Sequence, residues 1–280
     1  MAEFEFNKVY VLESLKQGER LTGKELYEDL LNRKAYLITD FEAEYISINN
    51  KEDFWKALEK IKDKCITEGQ YPILHFEIHG SKDKDGLVLN SGELIGWDEL
   101  YPNLVYLNSI MGNNLFITLA VCYGAFIMEL IKIEKAAPYW GFIGSFEEIL
   151  PDDLSICYND FYNEFLTNYN LNEAIKKLHE ANPSIPSTYR LINSEETFKI
   201  AYKKYFNEQF DEEKINTRFE SVLKQNNFNL KDENNISLKL FKENLLKSKE
   251  NYFVKHKRTF FMFDNFPDNE NRFQINYQEF

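Results

Sequence analysis

Two hydrophobic periods alternate along the chain. Lys8–Glu13 and Ala35–Thr39 are short apolar runs of strand character, separated by a Gly18 loop and a helix opening at Thr22-Gly-Lys-Glu25 with its stripe at Leu26, Leu30 and Leu31. Thr22 with Glu25 three places on reads as an N-cap and capping box. Lys51–Glu68 places Phe54, Leu58, Ile61 and Cys65 on one helical face, and Gly69 ends it. Ile73–His79 is the next strand, and Gly86–Ile95 is a hairpin turning at Ser91-Gly92. A helix over Trp97–Leu107, a strand over Leu115–Val121, a helix over Ala125–Lys135 and a strand over Tyr139–Gly144 follow, with helices at Asp160–Tyr169 and Asn172–Glu180 closing the unit. The strands are continuously apolar, as strands covered on both sides are. The rhythm therefore predicts an α/β fold with a mostly parallel central sheet flanked by helices on both faces.

Beyond about residue 190 the pattern changes. Helical periodicity at Phe198–Phe210, Ile215–Gln225 and Ser237–Asn251 is broken by Asn- and Asp-rich turns, and the aromatic pieces Thr259–Phe263 and Arg272–Tyr277 read as a candidate β-hairpin, pairing with the main sheet or with a partner chain. The expected organisation is a first domain over residues 1–190 and a mainly helical C-terminal extension over 191–280.

Charge sharpens the division. The 280-residue chain carries a net charge of −13, and all of it lies in the first 194 residues, with 18 basic against 31 acidic side chains. An acidic body disfavours nucleic acid and anionic membranes as partners and suits a basic peptide. No apolar run reaches the roughly 18 residues that a membrane span needs. Met1–Phe6 lacks the basic flank and apolar core of a secretion signal. The three cysteines, Cys65, Cys122 and Cys157, are widely spaced and odd in number, which fits reduced thiols in the cytoplasm. Neither CxxC nor HExxH occurs, so no metal or other cofactor is expected.

The chemistry concentrates at two strand ends. Ile73–His79 delivers His79 with Gly80 behind it, and Leu115–Val121 delivers Cys122 with Gly124 two places on. If these strands are neighbours in a parallel sheet, imidazole and thiol emerge together at its carboxyl edge, where open α/β sheets bind ligands. A free thiol, with a pKa of roughly 8.5, is only a few per cent thiolate at neutral pH; a neighbouring base and a following helix N-terminus would raise that share. The N–H groups of Gly80 and Cys122 make a candidate oxyanion hole. His75, Glu77 and His79 share one strand face, an HxExH pattern read as packing and hydrogen bonding beneath His79 rather than a metal site. Cys65 and Cys157 read as packing, His179 and His256 as surface residues.

The combination His75-Phe-x-x-His79-Gly80-Ser81, Asp85-Gly86-Leu87-x-Leu89 and the apolar strand into Cys122-Tyr-Gly124 resembles the CHAT branch of the caspase-like cysteine proteases. Gly141-Phe-Ile-Gly144-Ser145, Phe161-Tyr162 and Leu171–Leu178 continue the likeness over about residues 8–180. The resemblance implies a caspase–haemoglobinase fold and a His79–Cys122 dyad cleaving peptide bonds of a protein or peptide substrate. It further implies an activating or regulatory protein partner and, by analogy, a part in bacterial stress or defence. Caspases carry Gln two residues before the nucleophile, where this chain has Ala120, so aspartate-directed cleavage is not implied. Candidate substrate-binding residues are Glu13, Arg20, Ala120, Ser145 and Glu147, with Glu148 beside them; acidic members would select a basic residue and Arg20 an acidic one. Between Lys135 and Tyr139 there is no room for a caspase-type processing linker, so an uncleaved chain is expected, with control exerted through residues 191–280. Two other readings remain: a catalytically silent CHAT-like interaction module, and a Cys–His amidase or acyltransferase acting on a small molecule.

Overall fold

The computed structural model describes residues 4–184, 186–225 and 238–279. They divide into two compact units, one of residues 1–131 and 137–194 and one of residues 132–136 and 195–280.

The first unit is built on one sheet. β1 (Lys8–Ser14), β2 (Glu42–Ser47), β3 (Pro72–Gly80), β6 (Phe116–Ala120), β7 (Gly141–Ser145) and β8 (Tyr189–Asn193) lie in the order β2-β1-β3-β6-β7-β8. All neighbours are parallel except the final pair, in which β8 runs antiparallel to β7. A short hairpin, β4 (Gly86–Val88) and β5 (Leu94–Gly96), extends β3, with His79 opposite Val88 and Gly80 opposite Leu87. Gly92 takes the left-handed conformation at the hairpin turn, with φ 86°.

Strand alternation sorts side chains to two faces. Tyr10, Leu12, Leu74, Phe76, Ile117, Leu119 and Phe142 form one core with α3 (Lys51–Glu68) and α4 (Trp97–Ile110). α3 is the amphipathic helix its sequence predicts: Asn50 caps it by accepting the Asp53 N–H at 2.9 Å, Phe54, Leu58, Ile61 and Cys65 are buried, and Gly69 ends it at φ 64°. Each buried residue of this size contributes about 1.5–3 kcal/mol. His75 and Thr118 face the other way. There they meet Tyr158 and Tyr162 of α5 (Pro151–Asn168), which is followed by α6 (Leu171–Glu180). An α/β architecture with a mostly parallel sheet and helices on both faces is thus what the chain forms.

Several local expectations need correction. The second strand is Glu42–Ser47, not Ala35–Thr39, whose first residues finish a helix. That helix runs from α1 (Thr22–Leu26) through a π-helical turn (Tyr27–Leu31) into α2 (Asn32–Leu37). Tyr36 and Leu37 are exposed on it, so a short apolar run there was no guide to burial. The predicted capping box does not form. Thr22 is already helical and its hydroxyl donates to Glu77, while Glu25 pairs with Arg20. After Cys122 the chain makes a 3₁₀ helix over Gly124–Leu130 instead of an α-helix to Lys135, which weakens the helix-terminus argument for the thiol. The Asp160–Tyr169 helix begins at Pro151.

In the second unit, α7 (Ser194–Gln209), α8 (Glu212–Gln225), α9 (Leu238–Lys247), α10 (Lys249–Phe260) and α11 (Asn269–Arg272) are helical. The aromatic pieces read as a hairpin contribute no strand: Thr259 and Phe260 end α10, the rings of Phe260, Phe261 and Phe253 pack on Phe198, and Phe273 stacks on Phe261. His256 is buried against Tyr205 rather than exposed, and desolvation lowers its pKa. Ser237, at the start of the helix read over 237–251, and most of the Asn-rich turn before it lie outside the described residues. Among the described residues no helix is long and apolar enough to cross a membrane.

Candidate active site

β3 and β6 are adjacent and parallel, and their last register pair is Glu77 with Ala120. His79 and Cys122 each follow two residues later, so the two reactive side chains leave neighbouring strands at the same level of the sheet edge. The backbones there are in close apposition. A Cβ on Gly80 would sit 1.7 Å from the carbonyl oxygen of Cys122, a clash with main chain that only glycine avoids.

Cys122 is half-buried. Its Sγ receives the N–H of Ile149 at 3.3 Å and donates to the Ile149 carbonyl at 3.7 Å. The turn that presents the thiol uses Tyr123 in the left-handed conformation (φ 59°, ψ 16°). The Tyr123 N–H is anchored on the Glu147 carbonyl at 3.1 Å. The other thiols are unsuited to chemistry. Burial pushes Cys65 up to about 12 and Cys157 up to about 11.

His79 Nε2 lies 2.9 Å from Glu19 Oε2. Glu19 sits in the loop between β1 and α1, with the same oxygen accepting the Lys16 N–H at 2.7 Å. Burial opposes ionisation of Glu19, but the bonds from His79 and Lys16 outweigh it and hold its carboxyl below the ordinary value. With Nε2 so engaged, Nδ1 is the ring nitrogen left to exchange a proton with a thiol.

Beneath this exposed pair runs a buried one. His75 Nε2 meets Glu77 Oε2 at 3.0 Å, His75 Nδ1 meets Thr118 Oγ1 at 2.8 Å, and Thr118 Oγ1 meets the Tyr162 hydroxyl at 2.8 Å. The Thr22 hydroxyl donates to the other oxygen of Glu77. A carboxylate accepts only, so His75 Nε2–H donates to Glu77, while Thr118 Oγ1 bridges His75 Nδ1 and the Tyr162 hydroxyl. Both nitrogens of His75 are taken, and the HxExH strand is a hydrogen-bonded stack. Among the described residues no group of three or more His, Cys, Asp or Glu side chains is placed to hold a metal ion.

A cavity of about 250 Å³ opens beside the dyad. Among its lining residues are His79, Cys122, Ala120, Arg20, Glu19 and Glu77. Of the sequence-selected candidates, His79, Cys122, Arg20 and Ala120 meet there; Glu13, Ser145 and Glu147 do not. Glu13 is 2% exposed and accepts the N–H groups of Gly23 and Lys24 at 2.8 and 3.2 Å and the Tyr45 hydroxyl at 2.7 Å. It caps α1, and its pKa is raised by burial against the lowering effect of those bonds. Ser145 is buried and bonds Thr188 Oγ1 at 2.7 Å. Glu147 is exposed and lines a separate cavity of about 610 Å³ with Cys157 and His179. Glu148 accepts the Tyr123 hydroxyl at 3.2 Å. Glu19 and Ile149 were not singled out by the sequence, and Thr22 was read only as a helix cap. No motif marks the first two, since Glu19 lies in a loop and Ile149 acts through its main chain.

No known protein-family model matches the chain, and no curated protein matches it in sequence.

Proposed function

We propose that this chain is a cysteine endopeptidase of the CHAT and caspase-like type, acting in the cytoplasm on protein or peptide substrates. The observation that carries the reading is the placement of His79 and Cys122 at one level of adjoining parallel strands, lining one cavity. The mostly parallel sheet with helices on both faces supports the caspase–haemoglobinase assignment. The free state of all three cysteines supports the reducing compartment.

In the proposed reaction Cys122 Sγ attacks the scissile carbonyl carbon. The S–C bond forms as the carbonyl electron pair moves to oxygen, where the N–H groups of Gly80 and Cys122 receive it. His79 takes the thiol proton and returns it to the departing amine as the C–N bond breaks. Water then adds to the thioester with His79 as base, releasing the acid and restoring the thiol. The Ile149 N–H bonded to Sγ fixes the position of the nucleophile.

The test is a peptide library varied at the residue before the cleaved bond, with thiol-directed peptide warheads run in parallel. Wild type should hydrolyse a subset and be labelled at Cys122, and Cys122→Ala should lose both. Turnover retained by Cys122→Ala would falsify the proposal. Hydrolysis of small amides with none of peptides would favour the small-molecule amidase, and no hydrolysis of either would favour the silent interaction module.

A further inference from the structure

We infer that the cavity beside Cys122 seats a cationic side chain, the guanidinium or ammonium of Arg or Lys, with Glu77 as the residue that recognises it. The inference rests on the proposed hydrolysis for calling that side chain part of a substrate, but the cation pocket is decided by binding alone.

The floor is set by register. Glu77 and Ala120 are paired on β3 and β6, and both line the cavity. The methyl group of Ala120 leaves the space above β6 open, so the longer side chain from the neighbouring strand occupies the floor. Glu77 points to the same sheet face as His79, two residues on. It is 3% exposed, which makes it a fixed carboxyl group in a low-dielectric recess rather than a solvated surface charge. Leu15, Ile149 and Leu154 contribute apolar wall, suited to the methylene stem of a long basic side chain.

The charges decide between a basic and an acidic occupant. Arg20 also lines the cavity, and alone it would select an anion. Its guanidinium is already committed: it bonds Glu25 Oε2 and Asp152 Oδ1 at 2.7 Å each, and Ser155 Oγ at 3.2 Å. Glu77, by contrast, has no Lys or Arg partner among the described residues; it accepts from His75 Nε2–H and from the Thr22 hydroxyl. Glu19 adds a second carboxylate at the cavity wall. An anionic occupant would meet two carboxylates and a neutralised arginine, and a neutral one would cover Glu77 without replacing its solvation. A cation makes charge-assisted hydrogen bonds at the floor.

Binding is measured with full-length Cys122→Ala protein, by calorimetric titration of four peptide amides that differ only in a last residue of Arg, Lys, norleucine or Asp. The Arg or Lys peptide should bind at least about 10-fold tighter than the other two, and their order assigns guanidinium or ammonium. Adding Glu77→Gln, which keeps the size of the side chain, should erase the preference. Ala120→Gln, which fills the cavity from the facing strand and leaves Glu77 in place, should also erase it while melting normally. Equal binding of all four, no binding of any, preference for Asp, or a cation preference unchanged in both variants overturns the inference. Peptide turnover by wild type is read separately. Turnover without cation preference leaves the protease standing and removes the pocket assignment; cation preference without turnover does the reverse.

Discussion

β3 carries the histidines of two histidine–carboxylate pairs, built of the same groups in opposite surroundings. His75 with Glu77 is 0% and 4% exposed by side chain, and His79 with Glu19 is 43% and 38% exposed. The N–O distances, 3.0 and 2.9 Å, are nearly equal, so geometry alone does not separate them. Environment does. The buried pair is locked on both sides by Thr22, Thr118 and Tyr162, and each lost partner there leaves a polar group with no water to replace it. The exposed pair reaches from a strand end to a loop and can part at small cost, which is what a proton-transferring imidazole requires. One pair holds the site together, and the other is free to serve the proposed proton transfer.

The sharpest break of this comparison is to delete each imidazole in turn. His79→Ala should lower peptide turnover by about 10³-fold or more, as loss of a general base does, with melting unchanged. His75→Ala should do the opposite. Removing a fully buried ring leaves a cavity and strips Glu77 and Thr118 of partners, at a cost of about 2–4 kcal/mol in chemical denaturation. If both variants lose stability equally, the division of labour is wrong.

A third carboxylate calibrates the buried end of the scale. Folded Glu13 holds its proton to a higher pH than the ordinary value near 4.5. Folding therefore takes up a proton between the two values, and wild-type stability should fall as pH rises through that window and level off above it. Glu13→Gln cannot titrate, so the part of the fall that Glu13 causes should be missing from its curve over the same window. Urea melts at closely spaced pH values between about 4 and 7 read the difference. Parallel curves for the two proteins would mean that Glu13 is ionised throughout.

How much of this was legible in the sequence depends on which force set each feature. The parallel strands, α3 with its cap and stop, and the convergence of His79 with Cys122 follow from hydrophobic period and from chemistry placed at strand ends, which are local signals. β8 is short and only partly apolar, and its place in the sheet comes from antiparallel pairing with β7, so no local pattern announced it. The aromatic run at Thr259–Phe263 was misread because Phe favours strands by propensity, whereas here packing on Phe198 holds it in a helix end and turn. Glu13 was selected for lying at a strand end. It was instead drawn inward by the unsatisfied N–H groups of α1. Glu77 was visible as a neighbour of the histidines, but its role as cavity floor depends on its register with Ala120, a pairing that no single segment encodes.

The smallest expected effect lies at Glu19, where the exposed pair can be tuned without being removed. Its carboxylate holds the His79 ring through Nε2 and leaves Nδ1 for the proposed proton transfer. A buried aspartate in that position is worth about 10⁴-fold in serine proteases. Glu19 is 38% exposed by side chain and sits on a loop, where water and thermal motion share its work. Glu19→Gln retains an acceptor oxygen and should lower kcat/KM only about 3–10-fold, with stability changed by less than about 0.5 kcal/mol. The pH dependence carries the same sign. Folded Glu19 ionises below its ordinary value, so its contribution is complete above that value and is lost as pH falls through the lowered one. Turnover of wild type should therefore lose its advantage over Glu19→Gln only on the acid side. A loss in Glu19→Ala as large as that in His79→Ala would make the exposed pair a rigid unit after all, and the contrast between the two pairs would reduce to burial without a difference in role.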